Sequence, residues 1–165
     1  MKKYSFIVKT EDCHGCKACE VACKQEHCLP VGPRWIRVYP DGPREIQGKL
    51  QLRYVVTHCM HCSHPPCKDA CPVEAIYQRK DGIVLINEDL CIGCKDCIEA
   101  CPLGVMQFDD EKEIAQKCNL CVERLDQGLI PACVAACPSH CMYIGDPADI
   151  TKALGESKSL LWQTF

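Results

Sequence analysis

Between residues 75 and 87 two runs rich in β-branched residues, Ala75-Ile-Tyr-Gln-Arg79 and Ile83-Val-Leu-Ile-Asn87, flank Lys80-Asp81-Gly82. Asp-Gly between such runs is the turn chemistry of a β-hairpin. A second hairpin is predicted from Trp35-Ile-Arg-Val-Tyr39 and Lys49-Leu-Gln-Leu-Arg-Tyr-Val-Val56, with Pro40 to Gly48 as its connection. Residues 29–56 thus read as an inserted β-ribbon. Elsewhere the apolar positions fall in short stretches of helix formers, such as Lys95-Asp-Cys-Ile-Glu-Ala-Cys101, and a proline just after them stops the helix. After Asp146-Pro147 the tail, 148–165, predicts one short helix near Ile150 to Trp162. No run approaches the roughly 18 apolar residues of a membrane helix. The pattern predicts an α+β fold of short helices and hairpins with a thin aliphatic core.

Cysteine changes this picture. Eighteen of the 165 residues are cysteine, and they count toward the 47% apolar fraction, so the aliphatic and aromatic remainder is small. Internal volume and cross-linking must come from something bound, as in other small domains that lack a core. Sixteen of the cysteines form four groups of four. Group one is Cys13, Cys16, Cys19 and Cys23; group two is Cys59, Cys62, Cys67 and Cys71. Group three is Cys91, Cys94, Cys97 and Cys101; group four is Cys118, Cys121, Cys133 and Cys137. Groups one and three have the spacing C-x2-C-x2-C-x3-C; groups two and four lengthen the gap before the third cysteine but keep the final C-x3-C. Groups two, three and four end in Cys-Pro, whereas Cys23 is followed by Lys24, so the first group must leave its helix differently.

A cube of four iron and four sulfide atoms, a 4Fe-4S cluster, needs four thiolates converging from different directions. Three cysteines two apart wrap one face in a tight loop. In the pattern C-x2-C-x2-C-x3-C-P the fourth ligand crosses to a neighbouring cluster. Residues i and i+4 on one helix, as at Cys97 and Cys101, can therefore serve two clusters held close together. The expected sets are Cys59, Cys62, Cys67 with Cys101, and Cys91, Cys94, Cys97 with Cys71. The outer sets are Cys13, Cys16, Cys19 with Cys137, and Cys118, Cys121, Cys133 with Cys23. The corresponding division is an outer module of residues 1–28 with 116–147, an inner module of 57–115, the ribbon 29–56 and the tail 148–165.

Charge and compartment follow from this chemistry. The formal charge is -3 with neutral thiols. Four clusters of about -2 each would bring the total to roughly -11. Such a particle does not favour nucleic acid or an anionic membrane. The N-terminal MKKYSFIVKTEDC reaches charged residues before any signal-peptide stretch. Together with thiolates kept for metal, that predicts a cytoplasmic protein without direct membrane insertion.

The segment CMHCSHPPCKDACPVEAIYQRKDGIVLINEDLCIGCKDCIEACPLGVMQFD resembles the iron-sulfur subunits of the dimethyl sulfoxide reductase family, with CHGCKACEVACK before it and KCNLCVERL and CVAACPSHCMYIGD after it. It is also similar to polyferredoxin-like subunits of formate dehydrogenases, carbon monoxide dehydrogenases, hydrogenases and tungsten aldehyde oxidoreductases. The resemblance spans roughly residues 4 to 147. It implies two ferredoxin-like modules, four 4Fe-4S clusters in a line, and attachment to a larger catalytic oxidoreductase subunit holding a pterin or another metal centre. A flavin subunit is a further candidate partner. The chain itself is then a non-catalytic electron carrier. Larger family members carry an export signal and a long C-terminal extension toward a membrane subunit; their absence here points to a soluble complex. Two arrangements remain open: a permanent subunit of a molybdenum or tungsten pterin enzyme, or a dissociable carrier for a carbon monoxide dehydrogenase or hydrogenase.

Plainer chemistries explain less. Nine disulfides would account for the count but not for the repeated triplets. Zinc tetrahedra need paired C-x2-C arms, not a third cysteine at the same interval. His58, His61 and His64 flank group two, where four cysteines already suffice, so hydrogen bonding to cluster sulfur or to partner groups is expected of them rather than ligation. His14, His27 and His140 carry no signal. Cys28 and Cys141 read as buried free thiols, and Trp35 and Trp162 as packing residues.

Overall fold

The computed structural model describes residues 4–154. Among the described residues sixteen elements follow one another, and none of the four sheets exceeds two antiparallel strands. The fold is α+β, built of short helices and hairpins. No helix among the described residues is long and apolar enough to cross a membrane.

The first strand, β1 (Ser5–Val8), pairs with the last, β8 (Met142–Gly145), in the register Ser5↔Gly145 to Val8↔Met142. This ladder brings the two ends of the described chain together, a pairing that the local sequence pattern does not announce. Helix α1 (Ala18–Glu26) follows and packs against α5 (Ala132–Ala135). The ribbon is β2 (Ile36–Ile46) with β3 (Lys49–His58).

The predicted connection of that ribbon, Pro40 to Gly48, is corrected by the structure. Most of it is strand, and the turn itself is Gln47-Gly48, with φ of 53° and 74°. Two prolines are tolerated because both strands are edges, where a missing N–H costs nothing. The register shift between Asp41 and Arg44 leaves Gly42 and Pro43 opposite the single residue Leu52. That is a bulge, and it absorbs the irregularity.

Two further hairpins repeat a common plan. After α2 (Pro66–Asp69) comes β4 (Ile76–Gln78) with β5 (Val84–Ile86); after α3 (Asp96–Glu99) comes β6 (Gln107–Asp109) with β7 (Ile114–Gln116). The Asp81-Gly82 turn closes the first hairpin, with Arg79 N–H donating to Ile83 O at 2.8 Å. The second has no clear signature in the sequence pattern. It is tightened by Asp109, which accepts from Glu111 and Lys112 backbone N–H groups and from the Gln116 amide. Helix α4 (Val122–Asp126) lies between β7 and α5, and α6 (Pro147–Leu154) follows β8. The tail helix thus starts earlier than the sequence suggests, and 155–165, including Trp162, lie outside the described residues.

Helix α1 runs to nine residues whereas α2, α3 and α5 have four. Lys24 stands where the other groups have proline, so nothing stops α1 after Cys23. It ends instead in a Schellman turn, with Leu29 N–H donating to Lys24 O and Cys28 N–H to Gln25 O.

The cores are cysteine-rich. One joins Cys19, Cys23, Cys133, Cys137 and Cys141 to Trp35, Ile36, Val38, Val56 and Met142. A second joins Cys67 and Cys97 to Ile76, Val84, Met106 and Ala115. Glu20 ties α1 to the ribbon, accepting from Val38 N–H at 2.7 Å and from the Arg34 guanidinium at 3.2 Å.

Candidate metal centres

Each cysteine group opens with a C-x-x-C loop whose third residue is left-handed: Gly15 (φ 66°), His61 (46°), Gly93 (68°) and Leu120 (60°). Left-handed backbone in such a turn swings successive N–H groups toward one side and makes a concavity suited to an anion. At Gly15 and Gly93 a side chain is excluded by space as well. An added Cβ would strike the Tyr54 ring at the first and the Glu113 carbonyl oxygen at the second.

The third cysteine of each group then enters a helix: Cys19 in α1, Cys67 in α2, Cys97 in α3 and Cys133 in α5, all buried. The fourth cysteine lies four residues further on. Because a helix places i and i+4 on one side at different heights, Cys67 and Cys71, and likewise Cys97 and Cys101, face neighbouring hollows.

Two such hollows are formed by the inner groups. One, of about 330 Å³ of empty space including its mouth, is lined by Cys91, Cys94 and Cys97 together with Cys71, closed by Val73, Ile76, Ile86 and Ala115. The other, of about 370 Å³, is lined by Cys59, Cys62 and Cys67 together with Cys101, closed by Pro66, Val84, Val105 and Met106. In both, three thiols of one motif meet the last thiol of the other.

The outer groups meet through α1 and α5. Cys23 is electrostatically coupled to Cys118 and Cys121, and Cys133 to Cys118, Cys121 and Cys23. Cys19 is coupled to Cys13 and Cys16. Cys137 Sγ lies 3.6 Å from Cys141 Sγ, which in turn feels Cys13. Couplings also link the sets to one another: Cys97 to Cys67, Cys59 to Cys118, and Cys23 to Cys19.

Burial pushes the Cys19, Cys23, Cys67, Cys97, Cys118 and Cys133 thiols up, with repulsion from neighbouring thiolates adding to it. Cys19 and Cys118 reach about 12, Cys67 and Cys97 about 11, and Cys23 and Cys133 move further in the same direction. For Cys118, Cys59 is the leading neighbour after burial itself. Thiolates in such hollows require compensating positive charge, which iron supplies. A dry, all-sulfur donor set with backbone N–H groups around it fits an iron-sulfur cluster.

Some positions differ from the sequence reading. Cys28 is exposed, not buried: it is the left-handed residue (φ 48°) that closes the Schellman turn of α1, the position Gly128 (φ 76°) fills after α4, and its side chain points out. Cys141 is buried. His58 Nδ1 bonds its neighbour's carbonyl, Cys59 O, at 2.8 Å, and its ring packs on Phe6. His61 Nδ1 accepts from Val84 N–H at 3.0 Å, and His64 is exposed. These bonds of His58 and His61 go to backbone, whereas His27, which carries no signal in the sequence, has Nε2 3.3 Å from Cys121 Sγ. Burial lowers the His27 pKa, and its ring lies against Trp35. No local signal could have found it, since the two residues are 94 apart in sequence.

Comparison with known proteins agrees with this geometry. The 4Fe-4S dicluster domain family matches residues 50–147. The B subunit of polysulfide reductase from Wolinella succinogenes is 38% identical, over 96% of this protein and 86% of its own length. The B subunit of anaerobic dimethyl sulfoxide reductase from Escherichia coli is 34% identical, over 93% and 78%. The thiosulfate reductase electron transfer subunit of Salmonella typhi is 34% identical, over 94% and 83%. With cysteine hollows built for clusters and likeness along nearly its whole length, this protein belongs to the 4Fe-4S electron-transfer subunits of the dimethyl sulfoxide reductase family, which carry electrons rather than catalyse.

Proposed function

We propose that the protein passes single electrons through four 4Fe-4S clusters to or from a larger catalytic subunit of the molybdenum- or tungsten-pterin type, such as an aldehyde oxidoreductase or formate dehydrogenase. The observation that carries the reading is the pair of hollows lined by Cys91, Cys94, Cys97 with Cys71 and by Cys59, Cys62, Cys67 with Cys101. The outer ligand sets, Cys118, Cys121, Cys133 with Cys23 and Cys13, Cys16, Cys19 with Cys137, rest on the couplings between α1, α5 and the group-four loop. The clusters, when bound, supply reversible one-electron chemistry; the protein supplies ligands, N–H groups and dry walls that tune it.

The packing of α2 on α3 and of α1 on α5, with Cys59 the leading neighbour of Cys118, supports a row in the order group three, group two, group four, group one. Cys94 and Cys16, in the terminal sets, are the exposed ligands. A row with accessible ends and covered middle suits a relay between two partners. Two ferredoxin-like modules, with their divisions at 1–28 plus 116–147 and 57–115, are supported by the β1–β8 ladder, the α1–α5 packing and the repeated helix-hairpin plan. The relatives are subunits of reductases, which supports a catalytic partner; a flavin subunit remains a further candidate. An exposed thiol at Cys28 favours a reducing, cytoplasmic compartment.

Anaerobic purification tests the reading. About sixteen irons and as many acid-labile sulfides per protein are expected, with paramagnetic signals on reduction. Zinc without sulfide would overturn it, and about eight irons would reduce it to one module. Recovery of a larger pterin-containing polypeptide with the native protein is the expected partner result; recovery of the protein alone favours a dissociable carrier.

A further inference from the structure

Lys117 is among the few charged side chains that the fold buries, with 3% of its surface exposed. It follows β7 directly and precedes Cys118. Its Nζ donates to Val84 O and to Cys118 O, the latter at 3.1 Å. Val84 lines the group-two hollow, and Cys118 is the first thiol of group four. Among the described residues no carboxylate pairs with this ammonium. Two neutral carbonyls do not balance a full charge, and a buried charge is costly unless an opposite one stands near it. What stands near it are the two thiol sets: Val84, whose carbonyl it meets, lines the hollow of Cys59, Cys62, Cys67 and Cys101, and Cys118, whose carbonyl it also meets, opens group four.

We propose that Lys117 is the fixed positive charge shared by the group-two and group-four clusters, a positioning residue that makes both easier to reduce. The inference rests on the four-cluster reading above. Each cluster is an anion that gains one further negative charge on reduction. An ammonium held between two of them in a medium of low dielectric stabilises the reduced form of each. It also lowers the repulsion when neighbouring clusters are reduced together, which keeps electrons from being blocked midway along the row. The backbone bonds explain why the charge stays in place: Val84 and Cys118 hold it from either side. Lys95 gives a contrast. It also lines a hollow, that of group three, but it is exposed and lies over the Phe108 ring at 3.9 Å, so solvent screens it.

The test is a redox titration, followed by paramagnetic resonance, of the full iron-loaded protein carrying Lys117→Met, Lys117→Arg or Lys95→Met. Signals are assigned to group two and group four by their loss in Cys101→Ser and Cys23→Ser. Lys117→Met should shift both toward lower potential by at least a tenfold change in the reduction equilibrium, which is about 59 mV for one electron. Lys117→Arg should keep most of the wild-type potential, and Lys95→Met should shift group three by less than that. Iron loss in Lys117→Met but not in Lys117→Arg would equally support a need for the charge. Unshifted potentials with full iron content, an equal shift of all four clusters, or iron loss in both Lys117 variants would overturn the proposal. Fewer than about sixteen irons in the wild-type protein would instead defeat the four-cluster reading beneath it.

Discussion

At the scale of single residues the sixteen grouped cysteines are not equivalent. Those entering helices, Cys19, Cys67, Cys97 and Cys133, are buried, while Cys16 and Cys94 in the loops are exposed. The last cysteine of each inner group lies in the hollow of the other: Cys101 faces Cys59, Cys62 and Cys67, and Cys71 faces Cys91, Cys94 and Cys97. Replacing Cys101 by serine therefore separates two wirings. On the proposed four-cluster reading the group-two signal should be damaged and iron should fall from about sixteen toward about twelve per protein, with group three intact. Damage confined to the group-three signal would reject the crossing. His27 belongs to this scale too, since a half-buried imidazole stands 3.3 Å from Cys121 Sγ across 94 residues of sequence.

At the scale of elements the recurring unit is a left-handed C-x-x-C loop followed by a short helix that carries the third cysteine and, in the inner groups, a hairpin. Gly93 shows what the loop requires. It combines a φ of 68° with a Glu113 carbonyl oxygen where a Cβ would lie, whereas Gly104, at φ 57°, has nothing near that position. Gly104→Ala should cost only the left-handed strain, roughly 1–2 kcal/mol. Gly93→Ala should cost more and loosen the loop that holds Cys91 and Cys94. The measurement is the rate at which cluster absorbance bleaches in denaturant: the Gly93 variant should lose the group-three cluster first, and the Gly104 variant should resemble wild type. Equal rates for the two would show that the contact with the β6–β7 turn is immaterial.

For the whole molecule the question is what fills the interior. The two largest buried clusters are lined by cysteine sulfur, with a limited number of Ile, Val, Met and Trp side chains between. Metal-free, these thiols face one another across hollows and add little cohesion. Removing iron with a chelator should therefore unfold the protein, seen as loss of its circular dichroism; an iron-free form with the native spectrum would contradict this. The pH dependence of any residual fold has a definite sign. Thiol pKa values raised from 9 to about 11 for Cys67 and Cys97 and about 12 for Cys19 and Cys118 mean that folding favours the neutral form. That contribution is full below about pH 9 and is lost as the pH rises toward about 12, so residual structure should fade in alkali.

The order of residues alone determined the chemistry. Thiol spacing is local, and a tight loop with a C-x3-C turn follows from neighbours in sequence, as do the Asp81-Gly82 hairpin and the stop that proline imposes on α2, α3 and α5. Only the tertiary structure decided which distant groups meet. The β1–β8 ladder, the packing of α1 on α5, the exposure of Cys28 and the burial of Lys117 between Val84 and Cys118 all depend on contacts across many residues. No periodicity encodes such contacts, because they are chosen by the burial and charge of the assembled molecule rather than by the conformational preferences of any one segment.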